Sequence, residues 1–337
     1  MSAARAFGLL LGVAADAALG DPRRWHPVAG FGQLAQRLER VVHRDNRAAG
    51  VVYTAVLAGG AVALGAAVER SRNPIVRIVG TAAATWVVLG GRSLAAEGWA
   101  IGARLSADDI AGARERLPNL CGRDPSTLDS AGLARATVES IAENTSDAVV
   151  APLLWGAVAG VPGLLGYRAV NTMDAMVGHK SPRYLRFGWA SARLDDVANL
   201  VPARLAAALT VVAAPAVKGD RRRAREAWKR DAGAHPSPNA GQVEAAFAGA
   251  LGVQLGGRTE YSYGVEDRPV LGEGRAPDAT DVARAVTLSR LVGFLTAGVA
   301  ALITLKRRAP GPRPRRGSRT LTSAWACAPS PRESRRA

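Results

Sequence analysis

The sequence predicts an all-α, polytopic membrane bundle with amphipathic and loop segments at the membrane surface. Three observations carry that prediction. Apolar runs long enough, or nearly long enough, to cross a bilayer recur along the chain. Their content is mostly Ala, Gly, Val and Leu with few aromatics, which suits helices that approach closely in lipid. Strand alternation is almost absent, and a short hairpin at Tyr261–Val265 is the most the pattern supports.

Taken in order, Ala6–Leu19 is apolar apart from Asp16. Gly20-Asp21-Pro22 then reads as a helix stop, so the run is expected to remain as a helix rather than leave as a signal peptide. Asp21–Gly50 opens with turn chemistry and continues as an amphipathic helix through Phe31, Leu34, Leu38 and Val41. Val51–Val68 has no charge, and Ile75–Leu89 carries only Arg77. Arg92–Asp147 reads as helical on both sides of a break at Leu117–Ser126. Ala148–Tyr167 is charge-free and, with Val51–Val68, long enough to span. Asn171–Leu200 is polar and compact, and Val201–Val217 carries only Arg204. Lys218–Thr280 reads as a long loop domain that begins with a basic helix. Leu291–Leu305 is charge-free and extends back through Ala285–Arg290. Residues 1–305 therefore form the integral membrane domain. Residues 306–337 form a Pro- and Arg-rich tail with no apolar face, expected to be disordered.

Charge and cysteine content exclude several classes. The formal charge is +16, but residues 306–337 hold ten basic residues against one acidic one. The basicity is largely a property of the tail, so a lipid bilayer is the expected partner and nucleic acid is not. Two cysteines exclude a disulfide framework, an all-cysteine zinc site and an iron–sulfur cluster. No dinucleotide fingerprint, nucleophile elbow, zinc-binding His-Glu-x-x-His or kinase signature occurs, and His26, His43, His179 and His235 are too scattered to define a metal site. The basic helix after Val217 and the basic tail each follow a hydrophobic run, so the positive-inside rule leaves the crossing parity open.

Polar residues concentrate where these runs begin and end. In Thr137–Asp147, Glu139 and Glu143 are four apart on one helical face, with Asp147 one further turn along. Three like charges on one stripe repel, and a divalent cation would relieve them. Magnesium suits carboxylates and keeps waters that a nucleotide phosphate displaces, with Asn144 and Thr145 as neutral donors. The competing reading is a solvated acidic face. In Tyr167–Tyr184, Asn171 and Asp174 share a face, Lys180 and Arg183 offer phosphate contacts, and His179 offers a base near neutral pH. Gly178-His179-Lys180-Ser181 lacks the earlier glycine a P-loop requires. Its ordinary reading is a headgroup anchor. In Arg193–Arg204, Asp195 or Asp196 pairs with Asn199, one acid facing inward and the other solvent. Favourable charge at a helix start is the simpler alternative. In Asp231–Glu244, either Ser237 or Asn239 can cap a helix at Ala240–Leu251 whose free N–H groups would face an anion, and an ordinary cap is the plainer reading. Asp21–Val28 adds an acid, a stiff turn and His26 beside a membrane end.

These blocks carry a resemblance. Gly20-Asp21-Pro22 with His26-Pro27, the run Glu139–Pro152, Asn171–Met176, Asp195–Asn199 and His235–Gly241 occur in the order found in the membrane-bound adenosylcobinamide-phosphate synthases of cobalamin biosynthesis, the CobD/CbiB family. The chain resembles that family across about residues 5–305, and the tail has no counterpart. The resemblance implies a multi-pass inner-membrane protein. It implies ATP-dependent amide ligation of adenosylcobyric acid to (R)-1-amino-2-propanol or its O-phosphate, and association with other late cobalamin-biosynthesis enzymes. For that chemistry, Glu139, Glu143, Asp147, Asn171 and Asp174 are the expected Mg2+ ligands. Lys180, Arg183, Ser237, Asn239, Asn144 and Asn199 are the expected phosphate or substrate contacts. His235, Asp195 or Asp196, or His179 is the expected proton acceptor. Two other classes compete: a membrane sensor or regulator of the same architecture without ligase activity, and a small-solute permease using Asp16 and Arg204.

Overall fold

The computed structural model describes residues 2–22, 26–261 and 264–306. The expected disordered tail lies, from Arg307 on, outside the described residues, as do Arg23–Trp25 of the Asp21–Val28 block. The first four helices are α1 (Ser2–Leu19), α2 (Pro27–Val42), α3 (Arg47–Glu69) and α4 (Pro74–Val88). Local chemistry sets their ends. Gly20 adopts φ +68 and gives its N–H to the Asp16 carbonyl at 2.9 Å, so α1 stops where the sequence places the stop. Asn46 and Asn73 cap α3 and α4 through their side-chain oxygens, on Ala49 N (2.9 Å) and Ile75 N (2.9 Å). Gly8 and Gly12 let α1 pack directly on Thr81 and Thr85 of α4, where a Cβ would collide.

The chain continues through α5 (Gly91–Ser106), α6 (Ile110–Arg116) and α7 (Ser130–Thr145), helical on both sides of a break as expected. A π-helical turn, Ser146–Val150, joins α7 to α8 (Ala151–Val177). Ala148–Tyr167 was expected to be one crossing, and the structure corrects this. Gly160 has φ 70 and ψ −149, and Pro162 two residues later has no N–H to continue a ladder. The chain folds back there. The Tyr167 hydroxyl consequently donates to the Asp147 carbonyl at 3.2 Å, twenty residues away. Glu69 of α3 meets the fold, accepting the Val161 N–H at 3.2 Å and pairing with Arg5 at 3.0 Å. A backbone N–H that leaves the helical ladder needs another acceptor, and Glu69 supplies one for Val161.

Beyond α8 lie α9 (Trp189–Ala213), α10 (Arg221–Asp231), α11 (Ala240–Leu251), β1 (Leu255–Tyr261), β2 (Gly264–Leu271) and α12 (Ala279–Lys306). Lys218–Thr280 is thus not a loop domain. It holds two helices, one of them (α11) buried on nearly every side, and an antiparallel hairpin pairing Leu255 with Leu271 and Tyr261 with Gly264. The hairpin is longer than expected because a bulge at Leu255–Gly257 hides its alternation, with Gly256 at φ +80 and Gly257 at φ +79.

The result is an all-α polytopic bundle with one small hairpin. Among the described residues, six helical stretches are by length and composition long and apolar enough to cross a membrane: Ser2–Leu19, Arg47–Glu69, Pro74–Ser106, Ser130–Val177, Trp189–Val217 and Ala279–Lys306. Phe7, Val56, Leu64, Val79, Phe294 and Leu302 show large apolar side chains to the outside, as lipid-facing surfaces do. One core joins α5, α7, α9, α11 and the first half of α12 around Ile101, Leu133, Ile141, Phe247 and Val286. A second joins α1, α4, α8 and the last half of α12 around Leu9, Val88, Leu153 and Ala297.

The fold-back carries a stability prediction. An alanine at Gly160 would hold an unfavourable φ and drive its Cβ against the Glu69 carboxylate. Gly160→Ala should cost about 1–3 kcal/mol and lower the melting temperature in detergent. Gly298→Ala, where a Cβ meets nothing within 4 Å, should not. Equal melting of the two proteins would contradict a strained hinge.

Candidate functional site

The π-turn and the fold-back together assemble the site. Asp147 sits on the π-turn, and the returning arm of α8 brings Tyr167, Arg168, Asn171 and Asp174 beside it. Asp195 and Asn199 project from the buried face of α9. Asn171 gives its Nδ2 to Asp147 Oδ2 at 3.5 Å and to Asp195 Oδ1 at 3.4 Å. Asn199 gives its Nδ2 to Asp195 Oδ2 at 3.0 Å and accepts the Tyr167 hydroxyl at 2.9 Å. Arg168 reaches Asn171 Oδ1 at 3.4 Å. Asp174 lies within electrostatic reach of Asp195, Asp196 and Glu143. Of the two adjacent aspartates, Asp195 is buried while Asp196 is about one-third exposed, 3.8 Å from Arg193.

A second group adjoins the first through α7. Glu143 stays exposed and within electrostatic reach of both Asp147 and Asp195 on one side and Glu139 and Glu244 on the other. Glu244 of α11 is buried, with His235 Nε2 3.9 Å from its carboxylate. His235 Nδ1 accepts from Ser237 N at 3.0 Å, while its Nε2 and the Asn239 Oδ1 are buried with no hydrogen-bond partner among the described residues. Asn239 Nδ2 donates to the Asp196 carbonyl at 2.8 Å, tying the start of α11 to α9. The helix cap left open between Ser237 and Asn239 falls to Ser237, whose hydroxyl accepts from Ala240 N at 3.1 Å.

Several expected ligands are placed differently. Glu139 cannot serve an ion with either oxygen free: one is paired with Arg123 in a buried bridge and the other accepts the Gly256 N–H at 2.5 Å. Arg183 is held by Glu39 of α2 at 2.9 Å, which the Tyr184 hydroxyl also binds at 2.9 Å. His179 packs edge-on against the Tyr184 ring at 4.9 Å. Neither Arg183 nor His179 joins the acidic group in these contacts. Lys180 is exposed and within electrostatic reach of Asp196. Asn144 turns back on its own helix, to the Ser140 carbonyl at 2.9 Å. The residues missed in the sequence are Arg123, Tyr167, Arg168, Glu244 and Arg268. Glu244 had a readable signal, a lone acid in the apolar run Ala240–Leu251. The Arg123–Glu139 pair had none, since a loop and a helix meet there only in three dimensions.

Among the described residues no three His, Cys, Asp or Glu side chains form a ready ligand cage. Magnesium does not need one, because it takes one or two carboxylates, keeps waters and completes its shell with substrate phosphates. Asp147, Asp195, Asp174 and Glu143 offer carboxylates for such a role, whereas both Glu139 oxygens are taken.

Burial and the nearby Glu139 and Glu143 charges hold the Glu244 carboxyl well above the usual carboxylate range. Burial and then the Arg268 charge push the His235 imidazole below its usual 6.5. Both groups therefore favour their neutral forms, and the linkage signs are opposite. Glu244 subtracts stability as pH rises above 4.5, because the unfolded chain ionises first. His235 subtracts stability as pH falls through 6.5, because the unfolded chain protonates first. Relative to the parent protein, Glu244→Gln should gain melting temperature progressively above pH 4.5, and His235→Gln should gain it below pH 6.5. A thermal scan from pH 4 to 9 reads both, and parallel curves for all three proteins would refute the neutral pair.

A family model described as CobD/Cbib protein matches residues 9–289. A protein of Mycobacterium tuberculosis (strain CDC 1551 / Oshkosh) called cobalamin biosynthesis protein CobD is 54% identical over 304 residues, covering 90% of this chain and 97% of that protein. Proteins of the same description from Chromobacterium violaceum and Rhodobacter capsulatus are each 44% identical, covering 81% and 84% of this chain and 88% and 92% of their own lengths. No solved structure matches the chain. The chain belongs to the CobD/Cbib family.

Proposed function

We propose that this protein acts in cobalamin biosynthesis as an ATP-dependent amide ligase of the inner cell membrane, joining (R)-1-amino-2-propanol or its O-phosphate to adenosylcobyric acid. The observation that carries the reading is the meeting of Asp147, Asp174, Asp195 and Glu143 with Asn171 and Asn199 between the π-turn, the returning arm of α8 and α9. A carboxylate does not condense with an amine at neutral pH without activation. ATP with magnesium would supply that activation when bound: the carboxylate becomes an acyl phosphate with release of ADP, the amine displaces phosphate from it, and the cation neutralises charge on the transferred phosphoryl.

This chain's residues then have distinct tasks. Asp147 and Asp195 hold the cation side of the nucleotide. Asn171 and Asn199 fix both aspartates through the hydrogen bonds above, so each carboxylate is oriented before substrate arrives. Lys180, exposed beside Asp196, reaches for phosphate as a mobile point charge. His235, kept neutral by burial and by Arg268, is suited to take a proton from the attacking ammonium. The experiment is complementation together with assay. A strain blocked between cobyric acid and cobinamide should regain corrinoid-dependent growth with this chain, with or without residues 307–337. Purified protein should consume ATP only with both substrates present. ATP use without amide formation, or uptake of solute into proteoliposomes instead, would refute the ligase.

A further inference from the structure

Beside Val149 of the π-turn lies a cavity of about 270 Å3 among α1, α5 and α12. Asp16, Arg92, Trp99, Ser289 and Arg290 line it. Asp16 is 6% exposed. Its Oδ2 accepts the Arg92 N–H at the start of α5 (3.2 Å), while its Oδ1 is buried with no hydrogen-bond partner. A buried carboxylate oxygen left in this way lacks a donor. Arg92 spends one nitrogen on the Ala17 carbonyl (2.8 Å) and, like Arg290, stands exposed. Among the described residues neither guanidinium has a carboxylate side chain within ion-pair distance. The lining thus asks for a cationic donor inside and an anion at the mouth.

Its place in the fold narrows the ligand. Along α12, Val282, Val286 and Leu288 are buried, and exposed side chains begin at Arg290 and continue with Phe294, Leu295 and Leu302. Exposed Trp99 lines the same cavity as Arg290, and Trp and Arg together are the usual markers of a membrane–water border. We propose that this cavity binds a small phosphorylated primary amine, its ammonium on Asp16 and its phosphate between Arg92 and Arg290. Two sources share that chemistry, a free aminoalkyl phosphate and the headgroup of an ethanolamine phospholipid. As an entry point for the amine of the proposed ligation the cavity rests on that reading; as an aminoalkyl-phosphate site it does not.

The test uses full-length protein in phosphatidylcholine nanodiscs, titrated with 1-amino-2-propanol O-phosphate, O-phosphoethanolamine or propyl phosphate and read by calorimetry and 31P NMR. The two amino phosphates should bind, and propyl phosphate should bind at least about tenfold more weakly. Asp16→Asn and the exposed Arg290→Gln should each weaken the amino phosphates by about tenfold or more. Nanodiscs of phosphatidylethanolamine separate the sources. Loss of free-ligand binding there, with ethanolamine lipid retained by the parent protein and not by Asp16→Asn, assigns the cavity to the lipid; undiminished binding assigns it to the free amine. Binding that persists in a protein with no ligase activity supports the site while sinking the ligase. Equal affinity of the parent protein and both variants, equal affinity for propyl phosphate, or no binding of either free or lipid amine overturns the proposal.

Discussion

Asp195→Asn should leave the protein folded and membrane-inserted while lowering amide formation at least ~100-fold, the scale of losing one preorganised charged group at a reacting centre. Both Asp195 oxygens accept, one from Asn171 and one from Asn199. An asparagine keeps the shape but sets an N–H2 against a donor and removes the charge that would meet a magnesium-bound nucleotide. Asp174→Ala and Asp147→Asn should behave alike, with the magnesium concentration needed for half-maximal rate rising in each. Membrane fractionation and circular dichroism check folding, and product formation checks activity. Full activity in Asp195→Asn and Asp147→Asn would remove the cation role from this cluster.

Glu139→Gln should fail in a different way. Glu139 lies 1% exposed against Arg123 at 8%. Taking the carboxylate from a buried pair costs about 3–5 kcal/mol, because the remaining charge stays buried. The variant should melt far below the parent and accumulate poorly. A glutamine still accepts the Gly256 N–H, so adding Arg123→Met should restore much of the lost stability and, with it, activity. Thermal melts of the two single variants and the double variant form the cycle. A stable but inactive Glu139→Gln, not rescued by Arg123→Met, would return Glu139 to the metal.

These two outcomes mark what the sequence can and cannot announce. A helix end was readable at Gly20, where one residue decides it, whereas the Asn46 and Asn73 caps emerged only in the structure. The acidic and amide positions were readable because they interrupt apolar runs at helical spacing, where a charge needs a reason. Which of them meet was not. Glu139, Glu143 and Asp147 follow one stripe in an ideal helix, but the π-turn at Ser146–Val150 shifts the register and turns Asp147 toward α8 and α9. The fold-back at Gly160 left only a Gly and a Pro two residues apart within an apolar run, a pattern that transmembrane helices also tolerate. Arg183 looked like a phosphate fork because its partner, Glu39, lies 144 residues away. Charge partners at such separations are set by packing, and one sequence holds no record of them.

The most direct measurement follows an oxygen atom. Adenosylcobyric acid labelled with 18O in its reacting carboxylate is incubated with ATP, magnesium, the amine and the purified full chain. The cluster's proposed task predicts one labelled oxygen in released phosphate for each amide formed, with the transfer requiring magnesium and lost in Asp195→Asn. Amide formed without transfer of label, or transfer unchanged in Asp195→Asn, would contradict it.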